Sequence, residues 1–205
     1  MDLDLFGKTV LVTGGASGIG AGICTVFARE GANILMNYRS RQAEAEAFAQ
    51  ELRQRYGVRV LPVQADITEP EAVEDLFVQA RAQFETLDVL VNNAAGNVIF
   101  KPFQDYTEED WHAAQAGICD HVFRMSQHFL RTCLAAGREG RIINILSKSA
   151  ILSSSIHNLT YVANKGALTA LTRGMAKEFI PYGVYVNGIV PGYVRTRVHM
   201  DNTER

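Results

Sequence analysis

The sequence predicts an α/β fold, a doubly wound parallel sheet with helices on both faces. Short apolar runs alternate with stretches of helical period, in the order β-α-β-α-β-α-β from Thr9 to Val91. That alternation is the mark of parallel strands joined by crossover helices. The first run, Thr9-Val10-Leu11-Val12, feeds a glycine turn, Thr13-Gly14-Gly15-Ala16-Ser17-Gly18-Ile19-Gly20, which opens a helical stretch. With 205 residues, 47% of them hydrophobic, the chain can bury one substantial core, so a single domain over residues 1–205 is expected.

The turn is where a ligand is expected. Glycine accepts positive φ and lets a phosphate or a helix approach the backbone. The N–H groups of the first helical turn, at the positive end of the helix dipole, then suit a diphosphate. The spacing is Gly-x-x-x-Gly-x-Gly rather than the commoner Gly-x-Gly-x-x-Gly. A tight strand-to-helix turn without a ligand is the competing reading.

Helix one runs to about Arg29 and stops near Gly31, before the strand Asn33 to Asn37. A dinucleotide unit specific for NAD places an acidic residue about 20 positions beyond the glycines, on the ribose 2′-OH. Here the place holds Asn37-Tyr38-Arg39-Ser40-Arg41. A carboxylate repels a 2′-phosphate and a guanidinium pairs with one, so NADP is favoured over NAD, with Arg39 as its reader and Ser40 as helper. Solvated arginines on a loop are the alternative.

Arg41 to Tyr56 is helical by period, Gly57 ends it, and Val58 to Val63 is the third strand. Thr68 and Glu71 make a capping-box pattern around Pro70. Asp66 and Ile67 lie at the carboxyl end of the third strand, where ligands bind in open sheets, so Asp66 could accept from an adenine amino group; a turn-forming aspartate is as good a reading. The fourth strand, Leu87 to Val91, ends in Asn92-Asn93-Ala94-Ala95-Gly96-Asn97, small residues that leave backbone open to a cofactor. Lys101 to Asp110 reads as a loop. Trp111, Ala114, Ile118, Val122, Met125, Phe129 and Cys133 recur at helical spacing, which predicts one long helix, core-facing or interface-forming. Arg141 to Leu146 is a fifth strand delivering Ser147, and Val184 to Val190 a sixth. Between them Ser149 to Asn158 shows no clear period, and a helix begins about Thr160. On it Tyr161 and Lys165 are one turn apart and share a face. An ammonium beside a phenol favours the phenolate and suits proton transfer.

The charge balance, 20 basic against 22 acidic residues, gives −2, and the basic residues are scattered, so neither a nucleic acid nor a membrane surface is an expected partner. Cys24, Cys119 and Cys133 show no paired spacing, which argues against a disulfide framework and a zinc site; Cys24 and Cys119 are expected to be buried. His112, His121 and His128 do not recur at a metal-ligand spacing and read as surface or packing residues, so no metal is expected. No cationic, apolar leader precedes the first strand and no apolar run is long enough to cross a bilayer, which makes the cytoplasm the default location.

Taken in series, Thr13-Gly14-x-x-x-Gly18-Ile19-Gly20, Asp66, Asn92-Asn93-Ala94-Ala95-Gly96, Ser147, Tyr161-x-x-x-Lys165 and Pro191-Gly192-x-x-x-Thr196 resemble the short-chain dehydrogenase/reductase family over nearly the whole chain. The resemblance implies a Rossmann domain and an NADP(H)-dependent oxidoreductase that passes hydride between a nicotinamide and a carbonyl or hydroxyl carbon of a small or acyl substrate. It implies Ser147, Tyr161 and Lys165 as catalytic residues: Tyr161 as general acid/base, Ser147 on the substrate oxygen, Lys165 on the nicotinamide ribose. It implies cofactor contacts from Gly14, Ser17, Gly18, Ile19, Gly20, Arg39, Ser40, Asp66, Ile67, Asn93, Ala94, Tyr161, Lys165, Pro191, Gly192, Val194 and Thr196, and a homodimer or homotetramer.

Three features depart from the family pattern. Seven positions after Trp111, where many members carry a catalytic asparagine, stands Ile118. The serine-to-tyrosine interval is one residue longer than usual. The sequence stops at Arg205, where the family's substrate loop, last helix and last strand would follow. Ile118 and the Ala-Ala-Gly-Asn continuation resemble dienoyl-thioester reductases, which lack this tyrosine. An enoyl- or dienoyl-thioester reductase, or a nucleotide-binding scaffold with weak turnover, are therefore alternatives.

Overall fold

Valine, isoleucine and leucine alternate along the strand segments, and this alternation assigns each helix its face of the sheet. The computed structural model describes residues 3–96, 98–152 and 156–194. In chain order it contains β1 (Thr9–Val12), α1 (Gly18–Arg29), β2 (Asn33–Tyr38), α2 (Gln42–Tyr56), β3 (Val60–Gln64), α3 (Pro70–Gln83) and β4 (Val89–Asn92). Then follow α4 (Glu108–Gln115), a π-helical turn (Ala116–Asp120), α5 (His121–Ala136), β5 (Gly140–Ile145), α6 (Ser149–Leu152), α7 (Leu159–Glu178) and β6 (Val184–Ile189). The strands form one sheet, β3-β2-β1-β4-β5-β6, with every pairing parallel.

Successive strand residues point to opposite faces. Leu11, Leu35, Leu90 and Ile142 pack with Val73, Leu76 and Phe77 of α3, Met125 and Phe129 of α5, and Met175 of α7. Val10, Val12, Ile34, Met36 and Val91 pack with Cys24 and Ala28 of α1 and Ala45, Ala49 and Leu52 of α2. The expected doubly wound sheet is what the chain forms. Because the order reverses between β1 and β4, the loops leaving their carboxyl ends diverge and open a crevice.

Three local expectations fail. Thr68 does not cap α3; it donates its hydroxyl to Asp66 Oδ1 at 2.7 Å and its N–H to the same oxygen at 3.1 Å. Pro70 holds Glu69 extended, so the helix starts at Pro70 and Thr68 is spent on an Asx turn. The capping box falls instead at Thr107 and Asp110, which open α4 within the stretch read as a loop. A short helix also interrupts the serine-rich stretch at Ser149–Leu152.

The predicted long helix is broken at Ala116–Asp120. Gly117 and Gly96 approach so closely that a Cβ on Gly117 would lie 2.9 Å from the Gly96 Cα. The Gly96 N–H donates to the Gly117 carbonyl at 2.7 Å, so the β4 loop is docked on the π turn by a main-chain bond. Within the break and beyond it the stripe stays buried, from Ile118, 1% exposed, to Cys133, whereas Trp111 before it is 45% exposed and not core. Cys24 is buried as expected, but Cys119 is only half-buried. No helix among the described residues is long and apolar enough to cross a membrane.

Candidate active site

Thr13 and Asn93 join the two loops of the crevice. Thr13 Oγ1 accepts from the N–H groups of Asn93 and Ala94, each at 3.0 Å, and Asn93 Nδ2 donates to the carbonyls of Thr13 (2.9 Å) and Gly14 (3.3 Å). Asn37, buried at the end of β2, accepts from the Gly14 N–H at 3.3 Å and donates to the Ala65 carbonyl at 3.0 Å, tying the β3 loop to the same turn. Gly14 has φ +61° and Gly18 φ +54°. A Cβ on Gly20 would lie 2.1 Å from the Gly14 carbonyl oxygen. The turn therefore closes only with glycine at Gly20, which lies buried beneath it.

Ser17 is the N-cap of α1 but makes no side-chain capping bond, and the first turn of α1 has no acidic residue. The N–H groups there have no side-chain acceptor, an arrangement that fits an incoming anion. Gly14, Ser17, Gly18, Ile19, Arg39, Ser40, Asp66, Ile67, Asn93 and Ala94 all line one cleft of about 490 Å³. The cradle of glycines and bare N–H groups, with exposed Arg39 and Ser40 on the rim, fits the diphosphate and 2′-phosphate of a dinucleotide. Glu44 shares that rim, a carboxylate the sequence reading did not place there; Arg41 lies 3.8 Å from it. Asp66 keeps its turn-forming role through Oδ1. Burial raises its pKa, but the Thr68 hydrogen bonds and the Arg39 and His121 charges outweigh that and hold it below the usual carboxylate value.

Tyr161, Lys165 and Ser147 lie outside the lining of this cleft. Lys165 is 3% exposed, and its Nζ donates to the carbonyl of Ile145 at 2.7 Å, which ties α7 to the end of β5 two residues before Ser147. Its Nζ stands 5.9 Å from the centroid of the Tyr161 ring. Burial pushes the Lys165 ammonium down to about 8, with Cys119 pulling the other way. Ser147 Oγ accepts from the Ser149 N–H at 3.2 Å, which leaves its proton to donate. A buried chain of amides fixes α7 against the sheet: Asn92 Nδ2 donates to Asn144 Oδ1 (2.8 Å) and Asn144 Nδ2 to Thr172 Oγ1 (2.9 Å). Pro191, Gly192 and Val194 follow β6, half-buried to exposed, and do not line the cleft. Thr196 and Asn97 lie outside the described residues.

The residue that sequence reasoning missed is His121. It borders the cleft, is 1% exposed, and places Nδ1 at 3.2 Å from the Ala116 carbonyl. Its one signal was position: three residues after Ile118, it falls on the edge of the buried stripe. Arg124, one turn further, donates to the Thr68 carbonyl at 3.1 Å and fastens α5 to the Asp66 turn.

A glycine turn and an asparagine loop at the switch point of a parallel sheet, with a tyrosine and a buried lysine one turn apart beyond it, define a class of nucleotide-dependent α/β oxidoreductase. The chain belongs to the short chain dehydrogenase family, whose model matches residues 8–205. It is 34% identical over 203 residues to a hydroxynaphthalene reductase-like protein of Metarhizium majus (strain ARSEF 297), covering 97% of this chain and 72% of that one. It is 33% identical over 198 residues to the 5-keto-D-gluconate 5-reductase of Escherichia coli (strain K12), covering 95% and 76%. Among solved structures, L-sorbose reductase from Gluconobacter frateurii, complexed with NADPH and L-sorbose, superposes with a TM-score of 0.90 at 31% identity, covering 96% of this chain and 73% of that one.

Proposed function

We propose that the protein is an NADP(H)-dependent carbonyl reductase or alcohol dehydrogenase acting on a small polyhydroxy ketone or its alcohol. The observation that carries this reading is the Tyr161 ring beside the Lys165 ammonium, with the lysine anchored at the end of β5 that leads into Ser147. When bound, the nicotinamide supplies hydride to the substrate carbon or takes it up. Tyr161 gives its proton to the substrate oxygen in reduction and recovers it in oxidation. The Ser147 hydroxyl donates to the same oxygen and stabilises the charge that develops there. Lys165 holds the nicotinamide ribose and stabilises negative charge on the phenol oxygen.

Gly14, Ser17, Gly18 and Ile19 would hold the diphosphate, Gly20 closing the turn beneath them. Asp66 and Ile67 would take the adenine, and Asn93 and Ala94 the backbone contacts along the cofactor. Pro191, Gly192, Val194 and Thr196 would take the nicotinamide end. NADP is supported by Arg39 and Ser40 on the rim, by the absence of a carboxylate at the end of β2, and by the NADPH complex of the sorbose reductase. The names of that enzyme and of the 5-keto-D-gluconate reductase support the substrate class. Exposed Trp111 on α4 and Phe123 on α5 support self-association.

The test is a fluorescence titration with NADPH and NADH, followed by NADPH oxidation with L-sorbose, 5-keto-D-gluconate, an aryl ketone and an enoyl thioester. Tighter NADPH binding that Arg39→Ala removes is expected; equal affinity for the two cofactors overturns the NADP reading. Tyr161→Phe should lower turnover by about 10²–10⁴-fold while leaving binding intact. Turnover that survives it assigns the proton to another group, and turnover confined to the thioester overturns the carbonyl reading.

A further inference from the structure

We infer that Glu44 is a specificity-determining residue: its carboxylate holds Arg41 and competes with the 2′-phosphate of NADP(H) for that guanidinium, which limits the preference for NADPH over NADH. The inference rests on reading the cleft lined by Gly14, Arg39 and Asp66 as the dinucleotide site. Arg41 and Glu44 both line that cleft, and Arg41 Nη1 lies 3.8 Å from Glu44 Oε2. Their side chains are 50% and 60% exposed, so a ligand in the cleft can reach both.

Charge at this end of the cleft is balanced before any ligand arrives. Its described lining carries two guanidiniums, Arg39 and Arg41, against two carboxylates, Glu44 and Asp66, and His121 is uncharged at neutral pH because burial pushes its pKa down to about 4. A phosphomonoester brings a further charge of about −1.5 to −2. Each carboxylate already has a cation: the Arg39 charge acts on Asp66, and Arg41 is paired with Glu44. The backbone fixes this arrangement. Gln64 Nε2 donates to the Arg39 carbonyl at 3.1 Å, and the Ala45 N–H donates to the Arg41 carbonyl at 3.1 Å. Arg41 stands at the N-cap of α2 with φ +65°, a left-handed conformation that a residue with a side chain keeps only where its surroundings hold it. Its side chain makes no capping bond, and Glu44 is the acidic residue of the first turn, so the positive end of the helix also has its anion. Glu44 thus takes up, at the guanidinium and at the helix start, the positive charge that a 2′-phosphate would use. A ribose 2′-hydroxyl is neutral and loses nothing to it.

The test is a fluorescence titration of the whole chain with NADPH and NADH, in wild type, Glu44→Gln, Arg41→Ala and the double variant. Glu44→Gln keeps the side chain's size and removes its charge. It should tighten NADPH binding by about three- to tenfold and leave NADH within about twofold. The NADPH gain should be smaller in the Arg41→Ala background, because no guanidinium is then freed. Unchanged or weaker NADPH binding in Glu44→Gln overturns the proposal, as does an equal gain for both cofactors or a gain of the same size without Arg41. If wild type binds neither dinucleotide, the cleft reading fails and the proposal with it. A measurement on wild type needs no variant to fold: the Arg41 Nε–H resonance should move with adenosine 2′,5′-bisphosphate and stay with adenosine 5′-monophosphate. An Arg41 resonance that both nucleotides move alike, or that stays put while the bisphosphate binds, overturns the proposal.

Discussion

Asn93 and Thr13 hold each other across the switch point of the sheet, the asparagine amide donating to the threonine carbonyl at 2.9 Å and the threonine hydroxyl accepting the asparagine N–H at 3.0 Å. Neither residue needs to touch a ligand to matter, since each fixes the loop the other leans on.

Asn93→Ala removes the amide bonds to Thr13 and Gly14 and leaves the Thr13 carbonyl short of a donor. The expected loss is about 1–3 kcal/mol of unfolding free energy in a urea titration. NADPH affinity should fall with it, because the glycine turn is no longer pinned. A variant as stable as wild type with unchanged affinity contradicts this account.

Gly117→Ala tests the docking of the β4 loop on the π turn. The new Cβ would stand 2.9 Å from the Gly96 Cα, and both partners are backbone, so one segment must move. Overpacking of this kind costs about 1–3 kcal/mol. Thermal unfolding should show it, and Gly117→Ala should weaken NADPH binding more than an alanine at exposed Gly174, which has open space around it.

His121 gives stability a pH dependence of known sign. Its pKa in the folded chain, pushed down by burial to about 4, lies below the 6.5 of a free imidazole. Between those values the unfolded chain binds the proton and the folded one does not, so stability falls as pH drops from about 6.5 to about 4 and this contribution then levels off. The full span is of the order of 3 kcal/mol. Urea unfolding at pH 7 and pH 4.5 should show wild type losing more than His121→Phe; equal losses would mean the ring is already charged when folded.

Lys165 behaves oppositely in function and in folding. With burial pushing its pKa down to about 8, the ammonium is lost as pH rises through about 8, and turnover that depends on it should decline there. Stability runs the other way: between about 8 and 10.5 the unfolded chain binds more protons, so stability rises with pH, and below 8 the cost of burying the charge is present in full. That cost is of the order of 3 kcal/mol, offset by about 1.5–3 kcal/mol for the charge-assisted bond to the Ile145 carbonyl. Lys165→Met should therefore be inactive yet at least as stable as wild type at pH 7, with the balance moving towards wild type as pH rises from about 8 to about 10.5. An inactive variant that is less stable at pH 7 would show the lysine to be a net structural support.

The strands, the glycine turn, the arginine-bearing loop after β2 and the Tyr161-Lys165 spacing were all legible in the sequence, because periodicity, turn chemistry and helical spacing are local properties. Leu11 and Val10 announce opposite faces by adjacency alone, and Arg39 is visible as the residue standing where an acid would bind a ribose. What only the tertiary structure decided depends on contacts between distant segments. Thr68 could have capped α3 until Asp66 claimed its hydroxyl. Ile118 and Trp111 shared one stripe until Gly96, from another loop, met Gly117 and the helix took an extra residue in its turn. His121 reads from the sequence as a surface or packing residue, and only the fold decides between the two: it is 1% exposed at the edge of the cleft, with Nδ1 3.2 Å from the Ala116 carbonyl.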